Sequence, residues 1–347
     1  MKIAIDGMGG DRAPGSIVAG MALAHRRLPH LSFLLFGDQA RLKPLLARNP
    51  ELEKAVTLHH TPEVVGPALK PADAIRGLKK SSMRLAVQAA ADGDADAVVS
   101  AGNTGAYMAL SKLILKTLPG ISRPAIISQM PNLKGESVFL DLGGNLVCNA
   151  RNLVEFAIMG SLFAKNILFR KEPTVGLMNI GSEDTKGRKE IQEAARVLKD
   201  VLPGFQGFVE GSDLGKGTVD VFVADGFAGN VALKTAEGTA LFLMESLKKC
   251  FMQSWRGRLA GLLAAPLLRA MRYQLDPRKY NGACWLGLSG LAVKSHGGTD
   301  ALGFSYAIEV AVDMAKTNLT GAIRDEIQAL DLEERLAALH PPRAKTA

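Results

Sequence analysis

Residues 97–106 read AVVSAGNTGA, and this stretch shows how the fold is built. The two valines in 97–100 predict a short buried strand, and the glycine-rich turn after it opens a helical pattern. The same order occurs at the start of the chain, where Lys2–Asp6 reads as a strand, a glycine-rich turn follows, and 16–27 reads as a helix. Apolar strands that alternate with helices predict a largely parallel sheet covered on both faces.

The alternation continues along most of the chain. Further predicted strands lie at 31–36, 56–59, 125–129, 137–141, 174–179, 205–210 and 219–224. The last third differs, because long helical patterns cover 229–249 and 255–273, the second interrupted at Pro266. We therefore expect a single α/β catalytic domain over residues 1–331, with a basic and apolar helical segment at 241–280 and a frayed tail at 332–347.

Composition narrows the class of protein. The 347 residues are 47% hydrophobic and 22% charged, which is ordinary for a chain with a large buried core. Aromatic residues are only 5%, which argues against a stacking surface for nucleic acid. The three cysteines are scattered and form no CxxC pair, which favours a reducing compartment. With no signal-like segment and no apolar run near the roughly 20 residues that span a bilayer, we expect a cytoplasmic protein.

Six glycine-rich loops stand out in the sequence, and five of them follow predicted strands, while the sixth lies near the end of the chain. In doubly wound sheets ligands bind beyond the carboxyl ends of the strands, so we expect these loops to converge on one sheet edge. They are DGMGGD (6–11), SAGNTG (100–105), DLGGN (141–145), NIGSEDTKG (179–187), DGFAGN (225–230) and KSHGGTD (294–300). None is a P-loop or a GxGxxG fingerprint, so ATP and NAD are disfavoured. Backbone amides at helix N-termini suit phosphate instead.

The sequence offers no activated nucleophile. It has no GxSxG elbow, and Cys148 is interpreted as a small buried residue. Among six histidines only His296 lies in a glycine-rich loop, where a structural role and an acid–base role are equally open. An enzyme that uses orthophosphate itself as nucleophile needs no covalent residue, only cations and amides that hold the phosphate and receive the oxyanion.

Seven motifs together closely resemble the bacterial acyl-acyl carrier protein:phosphate acyltransferases of phospholipid synthesis. They are IDGMGGD (5–11), SSMR (81–84), SAGNTGA (100–106), LDLGGN (140–145), NIGSEDTKG (179–187), VADGFAGNVALKT (223–235) and KSHGGTDALGF (294–304). The resemblance runs from residue 1 to about residue 317, nearly the whole chain. Arg12, Gly144 and Ser182 depart from the residues usual in the family, which affects fine positioning more than the reaction.

The resemblance implies a Rossmann-like three-layer α/β sheet, similar to the isocitrate and isopropylmalate dehydrogenase fold, with a helical pair in the C-terminal third. It implies a homodimer that converts fatty acyl-acyl carrier protein and orthophosphate reversibly into acyl phosphate and free carrier protein. This is the first step toward phosphatidic acid, and the product would feed a membrane glycerol-3-phosphate acyltransferase. No cofactor or metal is expected.

Loops and resemblance together nominate the site residues. The expected catalytic residues are Lys186 as a phosphate-binding cation, His296 as an acid for the leaving thiolate, Asn103 and Asp225. From the residues alone, a solvated lysine is an equal alternative for Lys186, and a helix-surface charge is the alternative for Arg84. The expected phosphate- or substrate-binding residues are Asp6, Gly9, Gly10, Asp11, Ser81, Ser82, Arg84, Ser100, Gly102, Thr104, Gly105, Asn145, Asn179, Gly181, Gly226, Asn230, Lys234 and Gly297.

Most of the formal net charge of +8 lies in one segment. Residues 246–280 contain eight basic residues and one acidic residue, and they enclose the apolar run LAGLLAAPLL (259–268). Three interpretations stay open: a helix pair packed across a dimer, a peripheral contact with anionic lipid at the inner face of the cell membrane, and a dock for acidic acyl carrier protein. The expected contact residues are Arg256, Arg258, Leu262, Leu263, Arg269 and Arg272.

Three other functions compete with this one. A phosphate acetyl- or butyryltransferase acting on acyl-coenzyme A would share the chemistry. A dehydrogenase of the isopropylmalate type is disfavoured, because the sequence lacks a clear carboxylate–metal cluster. A non-catalytic, membrane-attached scaffold would account for the basic segment alone.

Overall fold

The structure, a computed structural model, describes residues 1–274, 276–332 and 335. The side chains of 272–274 and 277 lie outside the described part. They include Arg272, one of the expected contact residues. Of the expected tail at 332–347, residues 333, 334 and 336–347 also lie outside it.

One sheet of eleven strands runs through the described part of the chain. The strands are β1 (Lys2–Asp6), β2 (Ser32–Gly37), β3 (Val56–His60), β4 (Ala97–Ser100), β5 (Ala125–Asn132), β6 (Gly135–Leu140), β7 (Val175–Met178), β8 (Phe205–Val209), β9 (Val221–Val223), β10 (Ala283–Leu286) and β11 (Leu291–Lys294). Their order across the sheet is β3-β2-β1-β4-β11-β10-β5-β6-β9-β7-β8.

The sheet consists of two parallel blocks that run in opposite directions. One block is β3-β2-β1-β4-β11 and the other is β6-β9-β7-β8, and parallel pairs join the strands within each block. Three antiparallel pairs, β11–β10, β10–β5 and β5–β6, connect the blocks and reverse the strand direction. The carboxyl ends of the two blocks therefore lie at opposite sheet edges. The expectation that all six glycine-rich loops meet at one edge is wrong for this reason.

Helices cover both faces of the sheet. They are α1 (Gly15–Arg27), α2 (Gln39–Leu46), α3 (Pro50–Lys54), α4 (Pro71–Gly77), α5 (Ser82–Ala91), α6 (Thr104–Leu115), α7 (Ala150–Ile167), α8 (Lys189–Val201), α9 (Gly211–Lys216), α10 (Gly226–Met252), α11 (Trp255–Gln274), α12 (Ala301–Lys316) and α13 (Leu319–Ala329), with a 3-10 turn at Pro277–Tyr280.

Two apolar cores lie on the two faces of the sheet. Along β1 the side chains alternate, so that Ile3 and Ile5 enter the first core and Ala4 enters the second. The first core includes residues of α1, α7, α8, α12 and α13, and the second includes residues of α5 and α6. The expected three-layer arrangement of helix, sheet and helix is therefore confirmed at this level.

The expected helical pair in the C-terminal third is present as α10 and α11. Helix α10 begins at Gly226 with Asp225 as its N-cap, three residues earlier than the sequence pattern predicts, and Pro266 lies inside α11. Only Gly226 and Gly229 of the 27 residues of α10 are buried, so most of this helix projects from the body of the protein. Among the described residues, no helix has the length and apolar character needed to cross a membrane.

Candidate active site

The site residues fall into two sets, which we name by their sheet edges. The first loop group comprises 6–11, 81–84, 100–105 and 294–300, at the carboxyl ends of β1, β4 and β11. The second loop group comprises 141–145, 179–187 and 225–230, at the carboxyl ends of β6, β7 and β9. The structure brings the predicted residues together within each set and places the two sets at opposite sheet edges.

Asp6 is the hub of the first loop group. Its carboxylate is buried and accepts hydrogen bonds from the hydroxyls of Ser82 and Ser100, each at 2.7 Å, and from the Met8 amide at 3.3 Å. Burial raises the pKa of Asp6, and these hydrogen bonds oppose the shift. Because Ser82 opens α5 and Ser100 ends β4, one carboxylate ties three elements together.

The glycines of this group allow the loop backbones to touch. A Cβ atom at Gly9 would lie 2.4 Å from Asp6 Oδ2 and 2.7 Å from the Gly102 amide nitrogen, so no larger residue fits there. Gly10 has φ of +106°, a conformation that favours glycine. The Asp11 amide donates to the Gly297 carbonyl at 2.9 Å, which joins the loop after β1 to the loop after β11.

Asn103 caps α6 and fastens its first turn to a neighbouring segment. Its Oδ1 accepts from the Ala106 amide at 3.0 Å, and its Nδ2 donates to the carbonyls of Pro67 and Leu69, each at 2.9 Å. Thr104 and Gly105 follow in the first turn and are exposed. The Asn103 side chain is thus occupied by protein contacts, and a direct catalytic role for it stays a prediction.

Ser81 and Arg84 lie at the start of α5. The Ser81 hydroxyl accepts from the Arg84 amide at 3.4 Å and donates to the Leu78 carbonyl at 3.1 Å. The Arg84 guanidinium donates to the Ile75 carbonyl at 3.2 Å. Both side chains therefore stabilise the chain before α5, and their predicted contact with phosphate stays a prediction.

The loop 294–300 is held in place by Asn281, a residue that the sequence reasoning missed. Asn281 Oδ1 accepts from the His296 amide at 2.9 Å, and its Nδ2 lies 2.8 Å from the Ser295 hydroxyl and 2.7 Å from the Gly303 carbonyl. His296 itself is exposed, and its Nδ1 accepts from the Gly298 amide at 3.2 Å. The neutral imidazole therefore carries its proton on Nε2, which is the atom that can donate outward.

Lys294 was also missed as a site residue. It ends β11 and is only 7% exposed, and its ammonium contacts the Ser295 carbonyl. Burial lowers the pKa of Lys294 to about 8, while the carboxylates of Asp6 and Asp11 oppose this shift. The available sequence signal was its position, as a lysine at the end of an apolar strand that leads directly into a glycine-rich loop.

Asp141 is the hub of the second loop group. Its carboxylate is fully buried and accepts from the amides of Ile126 at 2.9 Å, Gly144 at 3.0 Å and Asn145 at 2.6 Å. Asn145 Nδ2 also donates to Asp141 at 2.9 Å and to the Pro124 carbonyl at 2.8 Å. Burial raises the pKa of Asp141, and the hydrogen bonds oppose it. Asn145 is thus a structural partner of this carboxylate.

Asp225 connects the loop after β9 with the loop after β7. It is buried, its Oδ1 accepts from the Ala228 amide at 2.8 Å, and its Oδ2 pairs with Arg188. The backbone at Gly226 and Gly229 packs directly on the loop 141–145, because a Cβ at Gly229 would meet the Asp141 carbonyl oxygen at 1.9 Å. Arg188 was not predicted from the sequence, because its partner is remote in the chain.

Lys186 lies at the surface of the second loop group. Its ammonium pairs with Glu183 at 2.7 Å, and the two side chains are about half exposed, at 48% and 57%. The hydrogen bond that Lys186 donates to Glu183 raises the pKa of Lys186, so the amine is charged at neutral pH. A Cβ at Gly181 would lie 2.7 Å from Lys186 Cδ, and Asn179 Nδ2 donates to the Lys186 carbonyl at 3.0 Å. The glycine and the amide thus shape the loop that presents this lysine.

Two further predicted residues lie at the start of α10. Asn230 is exposed and faces Gly143, whose added Cβ would lie 3.5 Å from the Asn230 Cβ. Lys234 is exposed and pairs with Glu237 at 2.8 Å. Cys148 lies in the same region and is buried, and burial, with Asp141 and Asp225 nearby, raises its pKa to about 12. The interpretation of Cys148 as a small buried residue is confirmed.

The predicted contact residues on α11 are at the surface. Arg256, Arg258 and Arg269 are exposed, and Leu262 and Leu263 are 73% and 75% exposed. The Arg256 guanidinium lies over the Trp255 ring, 5.4 Å from its centroid. The segment therefore presents cations beside apolar side chains, and what it contacts stays a prediction.

Comparison with known proteins places the chain in a family. The model of a family described as "Fatty acid synthesis protein" matches residues 1–321. The chain belongs to this family. A relative from Rhodospirillum rubrum, named phosphate acyltransferase, is 54% identical over 329 residues, which are 94% of this chain and 94% of the relative.

Solved structures outside this family share the fold at low sequence identity. A phosphotransacetylase from Streptococcus pyogenes matches with a TM-score of 0.63 at 16% identity, over 91% of this chain and 94% of the other. A putative 4-hydroxythreonine-4-phosphate dehydrogenase from Salmonella typhimurium matches with a TM-score of 0.53 at 12% identity, over 90% and 99%. The family therefore has a mixed α/β fold with a large central sheet, found also in phosphotransacetylases and in a dehydrogenase-like protein.

Proposed function

We propose that this chain transfers a fatty acyl group from acyl carrier protein to orthophosphate and releases acyl phosphate and free carrier protein. The observation that carries the proposal is family membership over nearly the whole chain, together with relatives of similar length that are named phosphate acyltransferase. Acyl phosphate formed in this way would be the first intermediate toward phosphatidic acid. The likeness of the sheet to isocitrate and isopropylmalate dehydrogenases is part of the same proposal.

Orthophosphate is the proposed nucleophile, and the first loop group is its proposed place. Close backbone contact at Gly9 and Gly102 and the exposed first turn of α6 at Thr104 and Gly105 support this choice. The N-terminus of a helix carries partial positive charge and favours a dianion. A phosphate oxygen attacks the thioester carbonyl, forms the C–O bond, and gives a tetrahedral oxyanion that nearby amides stabilise.

Breakdown of this intermediate breaks the C–S bond and releases the carrier thiolate. His296 is the proposed hydrogen-bond donor to that sulfur, because its Nδ1 accepts from Gly298 and its proton is on Nε2. A thiol with an ordinary pKa of about 8.5 is a reasonable leaving group, so this assistance need only be modest.

Lys186 is the proposed cation of the second loop group. Solvent screens an exposed ion pair such as Lys186–Glu183, so an anionic substrate group can replace the glutamate at little cost. Asp225, paired with Arg188, is the proposed anchor that keeps the loops after β7 and β9 together around it.

The projecting pair α10–α11 is the proposed contact surface for a second copy of the chain and for acyl carrier protein. Its exposed apolar side chains support dimer packing, and the exposed arginines support attraction of an acidic carrier. Peripheral attachment to an anionic membrane, at the cytoplasmic face, is proposed for the same cations. Sedimentation velocity and vesicle co-sedimentation test these contacts separately.

Trapping of acyl phosphate with hydroxylamine tests the reaction itself. We expect product from palmitoyl-acyl carrier protein and orthophosphate, at a rate well above that from palmitoyl-coenzyme A. Turnover with the coenzyme A ester alone would make the protein a phosphate acyltransferase of the acetyl or butyryl type. Vesicle binding without turnover on either substrate would favour the scaffold.

A further inference from the structure

Three polar side chains form a lateral row on one face of the sheet at the edge of the first loop group. Ser100 of β4 pairs in register with Lys294 of β11, and the pairing of Ile5 with Val99 places Asp6 beside Ser100. Laterally paired residues of parallel strands point to the same face. The residues two positions earlier confirm the face, because all of them belong to the second core: Ala4, Val98 and Ala292.

The charged side chains of this row, Asp6 and Lys294, differ in how many of their hydrogen-bonding positions have a partner. The Asp6 carboxylate accepts from two hydroxyls and an amide, all of them neutral donors. The Lys294 ammonium has three N–H donors, and its contact with the Ser295 carbonyl occupies one of them. Asp6 and Asp11 act on Lys294 through their charges. The row thus contains a buried cation with hydrogen-bonding capacity left over.

A buried ammonium is costly unless a partner compensates it. The lowered pKa of Lys294, about 8, shows that Asp6 and Asp11 do not compensate its burial fully. At neutral pH the amine is nevertheless mostly protonated. An apolar side chain of similar length would fill the position without this cost, so a functional reason for the charge is favoured.

We propose that Lys294 is the buried cation that binds orthophosphate in the first loop group. This inference rests on the proposed function and names the residue that the sequence reasoning had sought at Lys186. The backbone of Gly10 lies against Gly297 and that of Gly9 lies against Gly102, at the carboxyl ends of the three strands that carry the row. A phosphate oxygen accepts from the free N–H donors of Lys294 and gives charge-assisted hydrogen bonds in place of the missing partner.

Steady-state kinetics separate this role from a structural one. Lys294→Met should raise the KM for orthophosphate at least tenfold and leave the KM for palmitoyl-acyl carrier protein within twofold. Lys294→Arg, which keeps the charge, should recover part of the loss. The matched control is Lys165→Met on the exposed surface of α7, which should behave as wild type. A KM for orthophosphate within twofold of wild type in a folded Lys294→Met protein, shown by circular dichroism, overturns the proposal.

If Lys294→Met fails to fold, a phosphate-binding measurement on the wild-type chain tests whether Lys294 contacts orthophosphate. The side-chain carbon signal of Lys294, in lysine-labelled protein and assigned with Lys294→Arg, reports its titration. Saturating inorganic phosphate should raise the titration midpoint by at least one pH unit, because a bound dianion favours the ammonium. Asp6 and Asp11 act on Lys294 through their charges. His296 lies two residues further along the loop, so the shift is compared with that in His296→Gln.

An unmoved midpoint in both proteins overturns the role of Lys294. This outcome is distinct from failure of the proposed function, which would appear as absence of acyl phosphate from wild type even where phosphate binds.

Discussion

The two loop groups are built on the same plan but hold their charges differently. Each has a buried aspartate as its hub, Asp6 in the first and Asp141 in the second, and burial raises the pKa of both carboxylates. Asp6 is bonded mainly by hydroxyls, whereas Asp141 is bonded by amides. The cation of the first group, Lys294, is buried, whereas Lys186 in the second is about half exposed.

Because of this difference, Lys294 is a cation held in a fixed position, whereas Lys186 is a cation that can exchange its carboxylate partner for another anion. A buried ammonium is already in position when an anion binds, so no free energy is spent on reorganising it. Electrostatic catalysis requires such preorganised charges. An exposed lysine with a carboxylate partner can release that partner and follow a substrate. We therefore assign holding of orthophosphate to the first group and contact with the incoming acyl donor to the second.

The largest expected effect is on the free energy of unfolding, when the buried aspartates Asp141 and Asp6 are replaced. Asp141→Ala leaves buried amide donors without acceptors, so we expect a loss of more than about 3 kcal/mol in the free energy of unfolding. Asp6→Asn should cost less, about 1 kcal/mol, because the hydroxyls of Ser82 and Ser100 can rotate to suit an amide. Urea unfolding of both variants measures the difference, and equal losses would remove the contrast between the hubs.

An intermediate effect is expected at the exchangeable cation. Lys186→Ala should lower kcat/KM for the acyl donor by about 10- to 100-fold. Glu183→Gln, the control, removes only an exposed partner and should change the rate less than about twofold. Initial rates, measured while the concentrations of acyl donor and orthophosphate are varied in turn, give kcat and both KM values. Near-full turnover and an unchanged KM for the acyl donor in Lys186→Ala would show that this lysine is a solvated surface residue.

The smallest effect is expected far from both groups. Reversing the charges at Arg256, Arg258, Arg269 and Arg272 to glutamate should raise the KM for acyl carrier protein substrate by about tenfold at low salt, and less at high salt. The fold and the KM for orthophosphate should not change.

Three exposed basic residues serve as the matched control for this experiment. Glutamates at Lys165, Lys171 and Arg196 reverse three exposed charges outside α10 and α11, and they should leave the KM for the carrier unchanged. An unchanged KM in the α11 variant would remove the docking surface.

The sequence predicted the units that are encoded locally. The strand, glycine loop and helix patterns at β1, β4, β6, β7 and β9 are present, and the helix after 225 begins within three residues of its predicted start. Strands β10 and β11 were missed, because four-residue runs in a region of helical patterns carry little local signal.

That omission explains the errors in the site. Strand β10 makes two of the three antiparallel pairs that reverse the sheet, so the loops were assigned to one edge. Strand β11 brings Lys294 beside Ser100, where the lysine is buried. Register between strands remote in sequence is a tertiary property, and neither charge nor hydropathy along the chain specifies it.

Helix α10 has a mechanical consequence. It is rooted at Gly226 and Gly229, which pack on the loop 141–145, and its other 25 residues include no buried one. At 1.5 Å per residue, its 27 residues form a rod about 40 Å long whose base is capped by Asp225. A tilt of about 5° at the base displaces the far end by roughly 3.5 Å. A force on the far end of α10 therefore tilts the whole helix, and this tilt changes the orientation of Asp225 at its base relative to Arg188.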